Sequence, residues 1–264
     1  ITEKEIINQS SLIISLSESE REDLNLLYGA PLEKIKVIPG GVNLKQFHSY
    51  PQEKAREILN IEKDKFIILF VGRLEWRKGV ETLISSLRLL REKIPNIRAL
   101  IVGGRIYGRQ KNPDDYKEYK RLMEKVKEEK VEDIIHFTGR INNGRLPFFY
   151  SASDVFAIPS YYEPFGLVAL EAMGCQTPIV ASRIGGLATT IKDGETGLLF
   201  ESHNARDLKD KILQLYNSRE YAERIIKNAY RNVSQDYSWE KIAQKISEIY
   251  KKFIPDENCA FSAL

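Results

Sequence analysis

The 264-residue sequence has few of the residues that build disulfide frameworks or metal sites. It contains two cysteines and three histidines, too few for a disulfide framework or a four-ligand zinc site of the usual kind. Because a low cysteine content is typical of reducing compartments, we expect a cytoplasmic protein. The longest apolar run, Phe66 to Val71, is far shorter than the roughly 20 residues that span a bilayer. No signal peptide is recognisable, and no transmembrane segment is predicted.

The sequence also lacks a strong charge of one sign and the motifs of several enzyme classes. Forty lysine and arginine residues stand against 37 aspartate and glutamate residues, a balance too even for a general nucleic-acid-binding protein. Gly-x-Gly-x-x-Gly, Gly-x4-Gly-Lys-Ser/Thr and Gly-x-Ser-x-Gly are all missing. Their absence argues against a dinucleotide oxidoreductase, a P-loop phosphotransferase and a serine hydrolase. Among the histidines, His136 is expected in a core strand, and none is assigned a role.

Short apolar runs alternate with longer segments of helical period. The predicted strands are Leu12–Ser15, Lys36–Ile38, Phe66–Val71, Ala99–Val102, Ile135–Thr138, Val155–Ile158, Ile179–Ala181 and Gly197–Phe200. The predicted helices lie near 18–28, 52–59, 79–93, 114–130, 143–151, 166–174, 205–216, 219–232 and 238–253. This alternation predicts an α/β fold with a parallel sheet covered by helices on both faces. The range 254–264 shows no clear period and is interpreted as a tail.

Five predicted strands are each followed at once by a glycine-containing turn. These turns cover 72–79, 103–104, 139–140, 159–166 and 182–186. In an open parallel sheet such turns share one edge, where ligands bind in the crevice and helix N-termini attract anions. The sequence therefore predicts a binding site along this edge.

Two cations on the first turn, Arg73 and Lys78, are candidates for binding a diphosphate. A guanidinium and an ammonium together offer a fork of donors and a point charge, and Gly72 and Gly79 lie beside them. The alternative is that Arg77 and Lys78 begin a helix and simply face water, and for Arg77 this is the interpretation adopted.

The turn at 159–166 carries a second set of candidates. Pro164 suits the first turn of a helix, and Gly166 allows a ligand to approach the backbone. Glu163 and Glu171 could each accept hydrogen bonds from a sugar or ribose diol. Alternatively, Glu163 is a negative charge that interacts favourably with the dipole at a helix N-terminus, and Glu171 is an ordinary surface residue. Three backbone amides would serve as anion donors: those of Phe165, Gly166 and Leu167.

Taken together, these motifs resemble a known family. They are Gly72-Arg73…Lys78-Gly79, Pro159-Ser160…Glu163-Pro-Phe-Gly-Leu…Glu171-Ala-Met, Gly185-Gly186 and Asp193-Gly-Glu-Thr-Gly197-Leu-Leu. The combination is similar to the retaining family-4 glycosyltransferases of the GT-B fold, a group that includes sucrose-phosphate synthase and glycogen synthase. The resemblance implies a Rossmann-like, doubly wound sheet that forms the carboxyl-terminal, donor-binding lobe over residues 1–253. The amino-terminal, acceptor-binding lobe of the family is not matched by this sequence.

The resemblance also implies roles for the candidate residues. Arg73 and Lys78 would bind the donor diphosphate, Glu163 the donor sugar and Glu171 the ribose. Further donor contacts would come from Gly72, Arg140, Ile141 and the segment Pro164–Leu167. The expected partners are a UDP-, ADP- or GDP-hexose, with UDP-glucose favoured, and a sugar or sugar-phosphate acceptor held by the other lobe. Retention would use the departing phosphate as the base, and no metal would be obligatory.

Two alternatives remain open at this point. One is a nucleotide-sugar epimerase of the same architecture, which would need no acceptor. The other is a nucleotide-sugar-binding module without catalytic activity. For the transferase, the unmatched lobe carries the acceptor pocket of the family. The chain alone is therefore expected to bind a nucleotide but to transfer sugar poorly or not at all.

Overall fold

The computed structural model of the protein describes residues 2–106 and 112–253. Within these ranges the strands are β1 (Ile13–Ser15), β2 (Ile35–Val37), β3 (Phe66–Val71), β4 (Ile97–Val102), β5 (Ile135–Gly139), β6 (Val155–Ile158), β7 (Ile179–Ser182) and β8 (Leu198–Phe200). The α-helices are α1 (Glu3–Gln9), α2 (Glu18–Tyr28), α3 (Gln52–Leu59), α4 (Val80–Leu90), α5 (Pro113–Glu129), α6 (Leu146–Ala152), α7 (Leu167–Gly174), α8 (Gly185–Thr190), α9 (Ala205–Asn217), α10 (Arg219–Asp236) and α11 (Trp239–Tyr250). The predicted tail at 254–264 lies outside the described residues.

Every strand lies where the sequence predicts one, and the helices that the sequence does not predict are the short α1 and α8. Helix α1 begins with a capping box, in which Thr2 and Glu5 exchange side-chain to backbone hydrogen bonds. The Thr-x-x-Glu spacing is therefore the signal for this helix. Helix α8 begins at the pair Gly185-Gly186. Because glycine has a low helix propensity, the sequence does not predict a helix there.

Strands β3 to β8 form one parallel sheet in the order β5-β4-β3-β6-β7-β8. From β3 the chain moves outward to β4 and β5, then returns to pair β6 with β3, as in the register Ile68 to Val155. It continues in the opposite direction to β7 and β8. The sheet is therefore doubly wound, as predicted, and its switch point lies between the carboxyl ends of β3 and β6.

Helices cover both faces of this sheet, and the two faces form separate hydrophobic clusters. On β3, Ile68 and Phe70 join the cluster that contains α4, whereas Ile67 and Leu69 join the cluster that contains α6 and α7. This alternation is the period of a strand that is buried on both sides. Strand β5 lies at the edge of the sheet, and His136 on it is exposed rather than in the core as predicted.

Strands β1 and β2 do not join the main sheet. They pair in parallel with each other, Ile13 opposite Ile35, beside a small cluster of Ile7, Ala30 and Ile35. With three residues each, they bury little surface of their own. Among the described residues, no helix is both long enough and apolar enough to cross a membrane.

Candidate functional site

The turns that follow β3 and β6 pack against each other at the switch point. The backbone amide of Tyr161 donates to the carbonyl of Arg77 at 2.7 Å. Gly79 has a φ of 63°, and a Cβ atom there would lie 1.9 Å from the carbonyl oxygen of Pro159. Glycine is thus required at 79 both for its conformation and for the close approach of the two backbones. The two predicted site turns form one packed unit.

Lys78 and Glu163 form an ion pair across this junction. Their side chains are 15% and 12% exposed, respectively, so water screens the pair only partly. The Lys78 ammonium has three donors and the Glu163 carboxylate has several acceptor positions. Each group can therefore hold the other and still bind a ligand. The structure brings together one cation and one carboxylate that the sequence predicts to act on the same ligand.

Arg73 belongs to a chain of charges on the same turn. Its guanidinium lies 2.7 Å from Glu75, and Arg77 Nε donates to the second oxygen of Glu75 at 2.8 Å. Arg77 also donates to the carbonyl of Tyr162 at 3.4 Å. The prediction that Arg77 faces solvent is wrong, since it joins the two turns. Arg73 is 69% exposed and remains accessible to an anion.

A pocket of about 520 Å³ opens beside Arg73, over the carboxyl ends of β3, β4 and β5. The predicted donor residues Gly72, Arg140 and Ile141 line it together with Arg73. Asp114 and Asp115 at the start of α5 form an acidic wall of this pocket, and neither is among the predicted site residues. An Asn-Pro helix start directly before these two carboxylates was the available signal.

The turn from Glu163 to Gly166 leads into the N-terminus of α7. Gly166 has a φ of 87°, and the amides of Phe165, Gly166 and Leu167 find no acceptor among the described residues. Free amides at a helix start favour an anion. The carbonyl of Pro164 accepts a hydrogen bond of 2.8 Å from Ser17, a buried residue 147 positions earlier. Ser17 is a support of the turn that sequence reasoning misses.

Glu171 lies further along α7, mostly buried. Its Oε2 accepts a hydrogen bond of 2.8 Å from the hydroxyl of Tyr150 on α6. Burial raises the pKa of Glu171 to about 7, and the Tyr150 hydrogen bond offsets only part of that rise. The same burial and the neighbouring carboxylate raise the pKa of Tyr150 well above its ordinary value. The interpretation of Glu171 as an ordinary surface residue does not hold.

The contacts therefore divide the candidates into three groups. Lys78 contacts Glu163, Arg73 connects to the same junction through Glu75 and Arg77, and Glu171 lies apart with Tyr150. No hydrogen bond or ion pair within residues 2–106 and 112–253 joins Glu171 to the other three. In the same ranges no group of three or more His, Cys, Asp or Glu side chains is placed to hold a metal ion.

Comparison with known proteins adds a family match. The model described as "Glycosyl transferases group 1" matches residues 51–232. D-inositol 3-phosphate glycosyltransferase of Actinosynnema mirum is 31% identical over 254 residues, which cover 95% of this chain and 59% of that protein. The chain spans about three fifths of the curated relatives that it matches.

Solved structures show the same fold. Sucrose-phosphate synthase from Thermosynechococcus elongatus matches with a TM-score of 0.84 and 36% identity, over 95% of this chain and 60% of that chain. HepE from Anabaena, solved in complex with UDP and glucose, matches with a TM-score of 0.83 and 26% identity, over 92% of this chain and 64% of that chain. The predicted fold and family resemblance are confirmed.

Proposed function

Because this chain belongs to the group 1 glycosyltransferases and has the GT-B-type fold, we propose that it binds the nucleotide-sugar donor for hexosyl transfer to an acceptor. The observation that carries the proposal is the Lys78–Glu163 ion pair at the switch point, next to the free amides at the start of α7. One cation, one carboxylate and a helix N-terminus at one crevice suit a ligand that combines phosphates with hydroxyls.

Each part of the site is proposed to bind one part of the donor. Arg73, Lys78 and the amides of the α7 N-terminus bind the diphosphate, and Glu163 accepts from hydroxyls of the hexose. The Glu171 carboxylate binds the ribose. The pocket beside Arg140 and Ile141 binds the nucleobase. It lies over β3, β4 and β5, whereas the Lys78–Glu163 ion pair lies on the other side of β3, towards β6.

The proposed transfer retains the configuration at the anomeric carbon. The bond from that carbon to the diphosphate breaks, and its electron pair goes to the phosphate oxygen. The acceptor oxygen bonds to the same face of the carbon, and its proton passes to the departing phosphate. Fixed charge from Arg73 and Lys78 stabilises the leaving group, and losing one such preorganised group typically costs about 3–4 kcal/mol of barrier. Because these side chains supply the charge, a metal ion is proposed not to be obligatory.

UDP-glucose is the proposed first candidate for the donor. HepE, which is 26% identical to this chain, was solved with UDP and glucose. The family resemblance of the sequence also favours a glucosyl donor. The chain covers about three fifths of its relatives, so we expect nucleotide binding but slow transfer from these 264 residues alone. The acceptor is proposed to be a sugar or sugar phosphate, and a cytoplasmic location stays a prediction from the low cysteine content.

Calorimetric titration with UDP-glucose, ADP-glucose, GDP-glucose and GDP-mannose tests the proposal. We expect one nucleotide series to bind, and we expect Arg73→Ala and Lys78→Ala each to weaken it at least about tenfold. Matched controls are Arg88→Ala and Lys63→Ala, which remove exposed cations elsewhere and should change nothing. If neither site variant weakens binding, the assignment of the diphosphate site is wrong.

A further inference from the structure

The Tyr150 side chain is completely buried next to the Glu171 carboxylate. Its ring packs edge-on against Phe156, with ring centroids 5.1 Å apart, and against Phe47 at 6.3 Å. Its backbone carbonyl accepts a hydrogen bond of 2.9 Å from the Thr177 hydroxyl. Because ring and main chain are both held, the phenolic oxygen has one defined position.

The two oxygens of the Glu171 carboxylate are in different situations. Oε2 accepts the 2.8 Å hydrogen bond from Tyr150. Oε1 accepts none from the described residues, and it is not among their buried polar atoms that lack a partner, so solvent reaches it. A glutamate side chain without such a bond could rotate freely about its terminal torsion. The Tyr150 hydroxyl therefore holds one oxygen and leaves the other open to a ligand.

Resting on the proposed function, in which Glu171 binds the ribose, we propose that Tyr150 is the positioning residue for that contact. Its hydroxyl fixes the plane of the carboxylate before the nucleotide arrives, so less side-chain freedom is lost on binding. The phenolic proton stays on Tyr150, in keeping with its raised pKa. Tyr150 touches no ligand and acts only through Glu171.

Calorimetry with a nucleoside diphosphate and its 2′,3′-dideoxy analogue tests this role in the 264-residue chain. UDP is the first probe, replaced by ADP or GDP if the donor titrations select one of them. Tyr150→Phe keeps the ring and removes only the hydroxyl. We expect it to weaken the ribonucleotide about tenfold and to leave the dideoxy analogue unchanged. Tyr216→Phe, which removes a hydroxyl beside Phe66 at the opposite end of the sheet, is the matched control and should change neither.

The Glu171→Ala variant separates failure of this inference from failure of the proposed function. It should abolish the preference for the ribonucleotide, and adding Tyr150→Phe should then cause no further loss. The positioning role is overturned if Tyr150→Phe keeps the full preference, weakens both ligands equally, or still weakens the ribonucleotide in the Glu171→Ala background. If Glu171→Ala itself keeps the preference, the ribose role of Glu171 is wrong, and the role of Tyr150 falls with it.

Discussion

Replacing Glu171 by glutamine should stabilise the ligand-free protein at alkaline pH. Burial raises the pKa of this carboxyl from its ordinary 4.5 to about 7. A carboxyl with a raised pKa binds its proton more tightly in the folded than in the unfolded chain. Its contribution to stability is therefore full below about pH 4.5 and is lost as the pH rises to about 7.

The difference between these pKa values corresponds to about 3 kcal/mol between the protonated and ionised forms. Glutamine is uncharged at all pH values and can still accept from the Tyr150 hydroxyl, so it avoids the cost of a buried charge. We expect Glu171→Gln to raise the free energy of unfolding by about 3 kcal/mol at pH 8 relative to the wild type. At pH 5 the advantage should shrink by most of that amount, because the wild-type carboxyl is then protonated in the folded chain.

Urea unfolding of both proteins at pH 5 and pH 8 measures this difference. Glu132→Gln, at an exposed position, is the matched control and should show less than about 0.5 kcal/mol of change at either pH. If Glu171→Gln does not increase the free energy of unfolding, or increases it equally at the two pH values, then the Glu171 carboxylate is not a destabilising buried charge.

Three further results are expected. Nucleotide affinity should fall about tenfold between pH 8 and pH 6, because a protonated Glu171 cannot accept hydrogen bonds from both ribose hydroxyls. An equal fall in affinity for the Glu171→Gln variant would exclude Glu171 as the cause. Gly79→Ala should lower the free energy of unfolding, measured by urea titration, by more than about 2 kcal/mol. The control Gly144→Ala, at a position with room for a Cβ atom, should lower it by less than about 1 kcal/mol. Similar losses in the two variants would contradict the packing described for the two turns. Chelation with EDTA should leave nucleotide affinity within about twofold, because Arg73 and Lys78 supply the positive charge; a calorimetric loss restored by Mg²⁺ would show that a metal bridges the phosphates.

The position of the site follows from local sequence patterns. The apolar runs of β3 and β6 and the glycine turns after them are visible in the sequence. Parallel-sheet geometry then places both turns at one edge. Lys78 and Glu163, 85 residues apart, could therefore be predicted to act together before any contact was known.

The partners of the site residues could not be predicted in this way. Whether Arg77 faces water or bridges to Tyr162 depends on the path of a turn more than 80 residues away. The Tyr150–Glu171 and Ser17–Pro164 hydrogen bonds likewise depend on how separate helices and turns pack. The exposure of His136 follows from the edge position of β5 in the sheet, which a strand's own residues do not reveal.

A crystal structure of the chain with UDP-glucose, or with the nucleotide sugar selected by calorimetry, examines the switch-point site itself. We expect the diphosphate within hydrogen-bonding distance of Lys78 and the amides of 165–167, with the hexose against Glu163 and the ribose against Glu171. A nucleotide bound instead in the cleft of about 920 Å³ at the amino ends of the strands, lined by Tyr50, Asp154 and Lys227, would contradict this assignment.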